Sequence, residues 1–366
     1  MPAHPKLTIR GIRARGVNVP MARPLQTGGG TVGTAPLVLI DLETEEGVTG
    51  SSYVFCYAPL ALKPTAQLVT NLDPLLKGDM VAPVAIEQKL QKQFRLLGPQ
   101  GLTGMAMAGL DMAAWDALAK AVELPLVKLL GGEPRPITAY NSCGLGIIGA
   151  ERAATEAREL IAPGFQAIKV RLGYPDVTTD VAVIRAVRKA VGDDILLMTD
   201  YNQSLTVSEA IMRCRLLDEE GIYWVEEPTV ADDFLGHAAI AREAKTPIQI
   251  GENWWGTHDM AKSLMAGASD YVMLDVMKIG GVTGWLRGAA LVEPRGIPAS
   301  SHLFPEISAH LLAVTPTCHW LEYVDWASPI LKQPLHVEYG QAIIGPAPGI
   351  GLEWDEKAVK RFLVEC

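Results

Sequence analysis

FQAIKVRL (165–172), DILLMTDY (194–201), IYWVEEP (222–228), PIQIGEN (247–253), YVMLDVM (271–277) and IPASSHLF (297–304) are six short apolar runs that set the architecture of this chain. Each has the length and composition of a buried strand. Amphipathic stretches such as VAVIRAVRKAV (181–191) and SEAIMRCRLLDEE (208–220) lie between them. The polar residues that end successive runs fall 20 to 31 positions apart, the period of repeated βα units. The class is therefore α/β, and six or more units favour a (β/α)8-type, modified TIM barrel. An open doubly wound sheet is the weaker choice, since no G-x-G-x-x-G follows the first strand.

Upstream the cadence differs. From Leu7 to Val54 the pattern is β: LTIRGIRARGV (7–17) alternates, and APLVLIDL (35–42) and VTGSSYVF (48–55) flank the acidic glycine turn at Glu45–Gly47. An antiparallel meander follows from this. Within it QTGGGTVGTA (26–35) reads as a mobile connecting loop, and no Gly-Lys-Ser/Thr follows that would make it a phosphate cradle. Residues 60–130 are helical, most clearly GMAMAGLDMAAWDALAKAV (104–122). Three segments result: an N-terminal α+β domain (1–130), the barrel (131–335), and a C-terminal segment (336–366) expected to pack back on the first.

The 366 residues are 49% hydrophobic and 20% charged, which excludes a disordered or collagen-like chain. A net charge of -9 argues against nucleic acid or an anionic membrane surface as partner. Cys56, Cys143, Cys214, Cys318 and Cys366 are scattered, without metal-ligand spacing, and read as reduced thiols. The opening residues lack an apolar leader, and no run approaches the roughly 18 residues that span a bilayer. A cytoplasmic location is expected.

The chemistry sits at the ends of the strands. Lys169 and Arg171, Asp200 and Asn202, Glu226 and Glu227, Glu252, Asp275, His302 and, after a further apolar turn, Glu322 each close an apolar run. In a parallel barrel that end is the mouth where sites are built, so these groups aim at one volume. A single strand-end carboxylate is as often a helix cap. Carboxylates closing three consecutive units would repel one another without a cation. Asp200, Glu226 and Glu252 offer only hard oxygen, which selects Mg²⁺, or Mn²⁺, over zinc. Lys169 and Arg171 lie two apart and face the same side. Asp275 ends the strand before His302, where a carboxylate can hold the imidazole Nδ1 proton and raise its basicity.

Taken in order, Lys-x-basic, Asp-x-Asn, Glu-Glu-Pro, Gly-Glu-Asn, Asp…Lys-x-Gly-Gly, Ser-Ser-His and a late Glu resemble the enolase superfamily, in its mandelate racemase subgroup. TVGTAPLVLIDL (31–42) and DMAAWDALAK (111–120) resemble that group's N-terminal capping domain, and KIGGVTGW (278–285) and SSHLFPEISAHLLA (300–313) its barrel. The resemblance implies that Asp200, Glu226 and Glu252 bind Mg²⁺, that Asn202 sits near the substrate, and that Lys169 stabilises its carboxylate. It also implies His302, paired with Asp275, as the base at the α-carbon, and Glu322 as the hydrogen-bond partner of a carboxylate gaining charge. The substrate is then a small-molecule carboxylate, the intermediate an enediolate, and the assembly a homo-oligomer.

One residue departs from the pattern. Mandelate racemase-like members usually carry a second Lys as the opposite base, where this chain has Arg171. Holding a free guanidinium neutral at pH 7 costs roughly 8 kcal/mol, so Arg171 is a poor base. Elimination of water needs only His302, as base and then as acid. The distal pocket is read as mostly apolar, from the glycine loop, Phe55, Tyr57, Leu97, Leu303 and Val324. That suits an aryl or alkyl 2-hydroxy acid with no β-hydroxyl to lose. Gly29 leaves extra room, Arg23 could pair with a second carboxylate or a hydroxyl, and Ser142 completes the expected substrate contacts. A racemase-type isomerase is thus the favoured reading, with a hydroxy-acid or acid-sugar dehydratase beside it. A Schiff-base aldolase using Lys169 or Lys278, or a barrel that has lost catalysis, are the alternatives from other classes.

Overall fold

A computed structural model describes residues 6–365; Cys366 and the first five residues lie outside the described residues. The N-terminal sheet has the order β1 (Ile9–Thr27), β2 (Gly30–Thr44), β3 (Thr49–Phe55), all antiparallel. Its central strand is buried without interruption from Ala35 to Leu42. Helices α1 (Leu62–Asn71), α2 (Asp73–Leu76), α3 (Pro83–Gln93), α4 (Gly101–Ala121) and α5 (Leu126–Leu129) follow. Helix α4 lies close on the sheet because the facing residues are small. A side chain on Gly50 would strike the Ala113 carbonyl, and one on Gly109 the Ile40 side chain.

The expected loop at 26–35 is instead the tip of a long hairpin. Strands β1 and β2 stay paired out to Thr27 and Gly30, and the Thr27 hydroxyl donates to the Gly30 carbonyl at 3.1 Å. The three glycines serve the turn, while the polar flanking residues, which read as loop, are held by the ladder. The hairpin also reaches the barrel, where the Ile147 N–H donates to the Gln26 carbonyl at 2.8 Å.

Eight parallel strands form the barrel: β4 (Ile137–Asn141), β5 (Ala167–Arg171), β6 (Leu196–Asp200), β7 (Ile222–Glu226), β8 (Ile248–Ile250), β9 (Tyr271–Asp275), β10 (Ala299–His302) and β11 (Leu321–Tyr323). Strand β11 pairs with β4. The ring closes where the Ser301 N–H donates to the Trp320 carbonyl and the His319 N–H to that of Ala299, both at 2.9 Å. Tyr140, Met198, Trp224, Met273 and Trp320 are buried together as a second core cluster of strand residues, as expected for a filled barrel. The crossovers are α6 (Ala150–Ile161), α7 (Val177–Val191), α8 (Val207–Leu217), α9 (Phe234–Glu243), α10 (Thr257–Ala266), α11 (Gly281–Val292) and α12 (Pro305–Ala313).

No eighth crossover helix follows β11 among the described residues. The chain instead makes a hairpin, β12 (His336–Glu338) and β13 (Gln341–Ile343), whose second strand pairs antiparallel with the start of β4. Only then does it return to the N-terminal sheet. The Trp354 indole donates to Asp41 at 2.8 Å, and beyond helix α13 (Glu356–Phe362) the Val364 N–H donates to the Gly16 carbonyl at 2.9 Å. Among the described residues no helix is long and apolar enough to cross a membrane.

Candidate active site

The parallel register brings the polar strand ends level. Arg171 pairs with Asp200, Asp200 with Glu226, and Asp275 with His302 across neighbouring strands. Beyond several of these ends the backbone turns sharply: Asn202, Gln203, Glu227, Leu303 and Phe304 all have φ between 36° and 65°. Non-glycine residues hold that region only where the surroundings enforce it, and such strain clusters at functional sites. The ends open into a cavity of about 580 Å³ between the barrel mouth and the β1–β2 hairpin.

Carboxylate oxygens of Asp200, Glu226 and Glu252, one from each, all lie within 4.8 Å of one another. Burial, with Asp200, Glu252 and Glu322 nearby, pushes the Glu226 carboxyl well up despite the adjacent Lys169. Three hard oxygens held this close are mutually unfavourable until a cation offsets them, and they match the donor set of Mg²⁺ rather than of a thiol- or imidazole-seeking metal.

Lys169 stands beside them at 1% exposure. Its Nζ lies 2.5 Å from Glu226, 2.9 Å from Glu322 and 3.2 Å from Asp200. Burial opposes its charge, but Glu226 and Glu322 outweigh burial and hold the ammonium well above the usual lysine range. Lys169 is thus a fixed cation.

The His302 Nδ1–H donates to Asp275 at 2.7 Å, since a carboxylate only accepts. That bond turns Nε2 toward the carboxylates, 3.4 Å from Glu252 and 3.9 Å from Glu322. Burial disfavours a charged imidazole, yet Glu252, Glu322 and Asp275 together raise its pKa. Glu322 in turn accepts the Leu303 N–H at 2.9 Å. Burial pushes against the charge on Glu322, but Lys169, His302 and Arg171 prevail and hold its carboxyl well below the usual range.

Arg171 is held differently. Its Nη1 donates to the carbonyls of Gly144 at 2.6 Å and Ser142 at 3.2 Å, and its Nη2 to the Ser142 hydroxyl at 2.8 Å. Three acceptors and no carboxylate clamp the guanidinium.

Of the expected substrate contacts, Phe55, Tyr57, Asn202 and Leu303 line the cavity. Four other residues do not. Ser142 is fully buried behind Arg171. Arg23 turns away to Glu159 at 3.1 Å. Leu97 is 75% exposed on the capping domain, and Val324 lines a small separate hollow beside Phe304. A residue's place in the chain fixes its element but not the side on which its side chain finds a partner.

Trp255 and Trp326 complete an aromatic wall that no sequence signal marked. Lys278, expected only for Schiff-base chemistry, lies 4.3 Å over the Tyr57 ring and donates to Asn253, which itself donates to Glu227 at 2.6 Å. The order Glu252-Asn253 and Asp275…Lys278 could have flagged this pair, since residues just beyond a strand end share its mouth.

Relatives show the same frame. Residues 9–131 match the Mandelate racemase / muconate lactonizing enzyme, N-terminal domain, and residues 152–358 the Enolase C-terminal domain-like family. A Bradyrhizobium enolase solved with magnesium and mandelic acid is 46% identical, with a TM-score of 0.94 and 99% of each chain covered. An enolase from the alphaproteobacterium bal199 with bound magnesium is 44% identical, with a TM-score of 0.96 over 98% of this chain and 100% of that one. L-talarate/galactarate dehydratase of Salmonella typhimurium is 29% identical over 90% of this chain and 83% of its own. With both domains matched in order and the barrel closed over three clustered carboxylates, this chain belongs to the enolase superfamily, in its mandelate racemase subgroup.

Proposed function

We propose that this enzyme removes the α-proton of a 2-hydroxycarboxylate on one face, with His302 as the base, and that on substrates carrying a C3 hydroxyl the outcome is loss of water. The observation that carries this is the pairing of one proton-accepting imidazole, set by Asp275 at 2.7 Å, with an Arg171 that three acceptors hold in place. Asp200, Glu226 and Glu252 would hold Mg²⁺, which when bound supplies positive charge for the carboxylate oxygens. Lys169 is the fixed cation available to the same carboxylate, and Glu322, which Lys169, His302 and Arg171 keep ionised, sits beside that ammonium at 2.9 Å and keeps it charged.

In the elimination, the C2–H bond breaks and its proton goes to Nε2 of His302. The electron pair forms the C2=C3 bond as the C3–O bond breaks. The departing hydroxyl takes the proton back from His302 and leaves as water, and the enol product becomes a 2-keto acid. One group serves both transfers, so no base is needed on the far face.

The racemase-type outcome is the second reading. It is supported by the aromatic wall of Phe55, Tyr57, Trp255 and Trp326, which suits an aryl substituent, and by the mandelic acid carried by the 46% identical Bradyrhizobium protein. It needs a proton carrier opposite His302, and the Arg171 clamp weighs against it.

Incubating the protein with Mg²⁺ and a panel of 2-hydroxy acids and acid sugars in D₂O separates the two. Deuterium at C2 in one enantiomeric series, with 2-keto acid from 3-hydroxylated members, is the expected result by NMR and polarimetry. Equal exchange of both enantiomers without keto acid would replace dehydration by racemisation. No exchange anywhere in the panel would remove both.

A further inference from the structure

Gln249 is out of character for its place. It lies on β8 in register with Glu226 of β7 and is fully buried, with its amide facing Glu226 in a barrel interior that apolar side chains ordinarily fill. Its Oε1 has no partner among the described residues. A buried polar atom left unpaired carries a desolvation cost that a methionine at the same position would not have. What the amide gains is one contact, from Nε2 to Oε2 of Glu226 at 3.4 Å. The same oxygen accepts the Trp224 indole N–H at 3.1 Å. Trp224 lies two residues before Glu226 on β7, and its ring is set by Tyr140 edge-on at 5.4 Å and by Tyr223 at 5.3 Å. The other oxygen of Glu226 belongs to Lys169, at 2.5 Å.

The three clustered carboxylates are thus steadied from different places. Asp200 accepts from the backbone and side-chain N–H groups of Asn202, and Glu252 from Asn253, each a near neighbour in the chain. Glu226 is held from beneath, by core residues of two strands. We propose that Gln249 and Trp224 are positioning residues for the metal centre: their N–H groups pin Oε2 of Glu226 from inside the barrel and keep the carboxylate turned toward Asp200 and Glu252. Neither residue lines the substrate cavity, so the pair acts only through Glu226. Both donors are neutral and orient the carboxylate without adding a positive charge that would oppose a cation. A glutamate also has more rotamer freedom to lose than an aspartate, so it gains more from being fixed in advance. The inference rests on the reading that Asp200, Glu226 and Glu252 hold Mg²⁺.

The test starts from metal-free protein and separates metal binding from folding. Gln249→Met removes the donor and the unpaired oxygen together and keeps an unbranched side chain that adapts to its surroundings. Calorimetric titration with Mg²⁺ is expected to show an affinity about 10- to 100-fold below that of the wild type. Thermal unfolding without metal is expected to stay level or rise, since the unpaired oxygen is gone. A merely structural Gln249 would lower both readouts together, whereas a positioning residue lowers only the first. In wild-type protein labelled with ¹⁵N-tryptophan, Mg²⁺ should shift the Trp224 indole N–H resonance, identified by its absence from Trp224→Phe. That readout does not depend on Gln249→Met folding. Wild-type Mg²⁺ affinity in Gln249→Met, a joint fall in affinity and stability, or a Trp224 resonance that Mg²⁺ leaves in place would each overturn the inference while leaving the metal site intact. Failure of the wild-type protein to bind Mg²⁺ would remove the metal reading, and this inference with it.

Discussion

The two sides of the barrel mouth hold charge in opposite ways. On the β9–β10 side, His302 has one nitrogen tied to Asp275 and the other 3.4 Å from Glu252, so a proton can come and go. On the β5–β6 side, Lys169 is locked among three carboxylates and Arg171 among three neutral acceptors. The difference lies in the partners: Lys169 and the two Nη atoms of Arg171 have theirs within 3.2 Å, whereas the nearest carboxylate to Nε2 of His302 is 3.4 Å away. The N-terminal domain is fastened to the His302 side by buried polar bonds. Asp111 of α4 accepts the Thr283 N–H and hydroxyl at the start of α11, and Tyr53 donates to Glu306 of α12 at 2.7 Å.

The largest effect is expected from emptying the active side. His302→Asn keeps the bulk and the bond to Asp275 but has no nitrogen that can take a proton. Exchange of the C2 proton in D₂O should fall by about 10³- to 10⁴-fold, with Mg²⁺ affinity by calorimetry unchanged. Exchange at the wild-type rate would move the base elsewhere and abolish the contrast between the sides.

A smaller effect concerns what supports that side. Burial, with a contribution from Glu87, raises the Asp111 carboxyl to about 7 against the two Thr283 bonds that favour its charge. The folded state thus keeps a proton that the unfolded chain releases in the ordinary carboxylate range. Stability from this group is full in acid and is lost as pH rises through about 7. Between pH 5 and 8 the loss is about 2–3 kcal/mol, and Asp111→Asn should flatten it in denaturant titrations at the two pH values. An identical pH slope in the variant would mean that Asp111 is ionised throughout.

The legible part of the site follows from one physical regularity. A parallel strand in a barrel is apolar along its length and polar only at its mouth, so Lys169, Asp200, Glu226, Glu252, Asp275 and His302 announced themselves by position. Capping residues carry no such signal. Leu97 and Arg23 neighbour the mouth in sequence yet lie elsewhere, and Trp255 and Trp326 carry no mark because an aromatic residue in a loop reads equally as core. The glycine hairpin reads as a loop because turn residues report the tip of a ladder and not how far the ladder extends.

The smallest predicted change tests whether the fixed side can be made to move protons. Arg171→Lys shortens the side chain and replaces a planar fork with a single ammonium, so it cannot reach the Ser142 and Gly144 acceptors in the same way. A lysine also loses its proton far more readily than a guanidinium, at a reference pKa of about 10.4. Exchange of the enantiomer that His302 does not serve should therefore rise, by about tenfold over the wild-type background. Chiral analysis of the deuterated acid measures it, because each face then delivers deuterium to its own enantiomer. If the wild type already exchanges both enantiomers at equal rates, Arg171 is no barrier and the asymmetry between the sides does not govern the reaction. If neither changes in Arg171→Lys, the new amine has been captured by Asp200 or Glu322, as Lys169 is, and pairing rather than side-chain type is what silences that face.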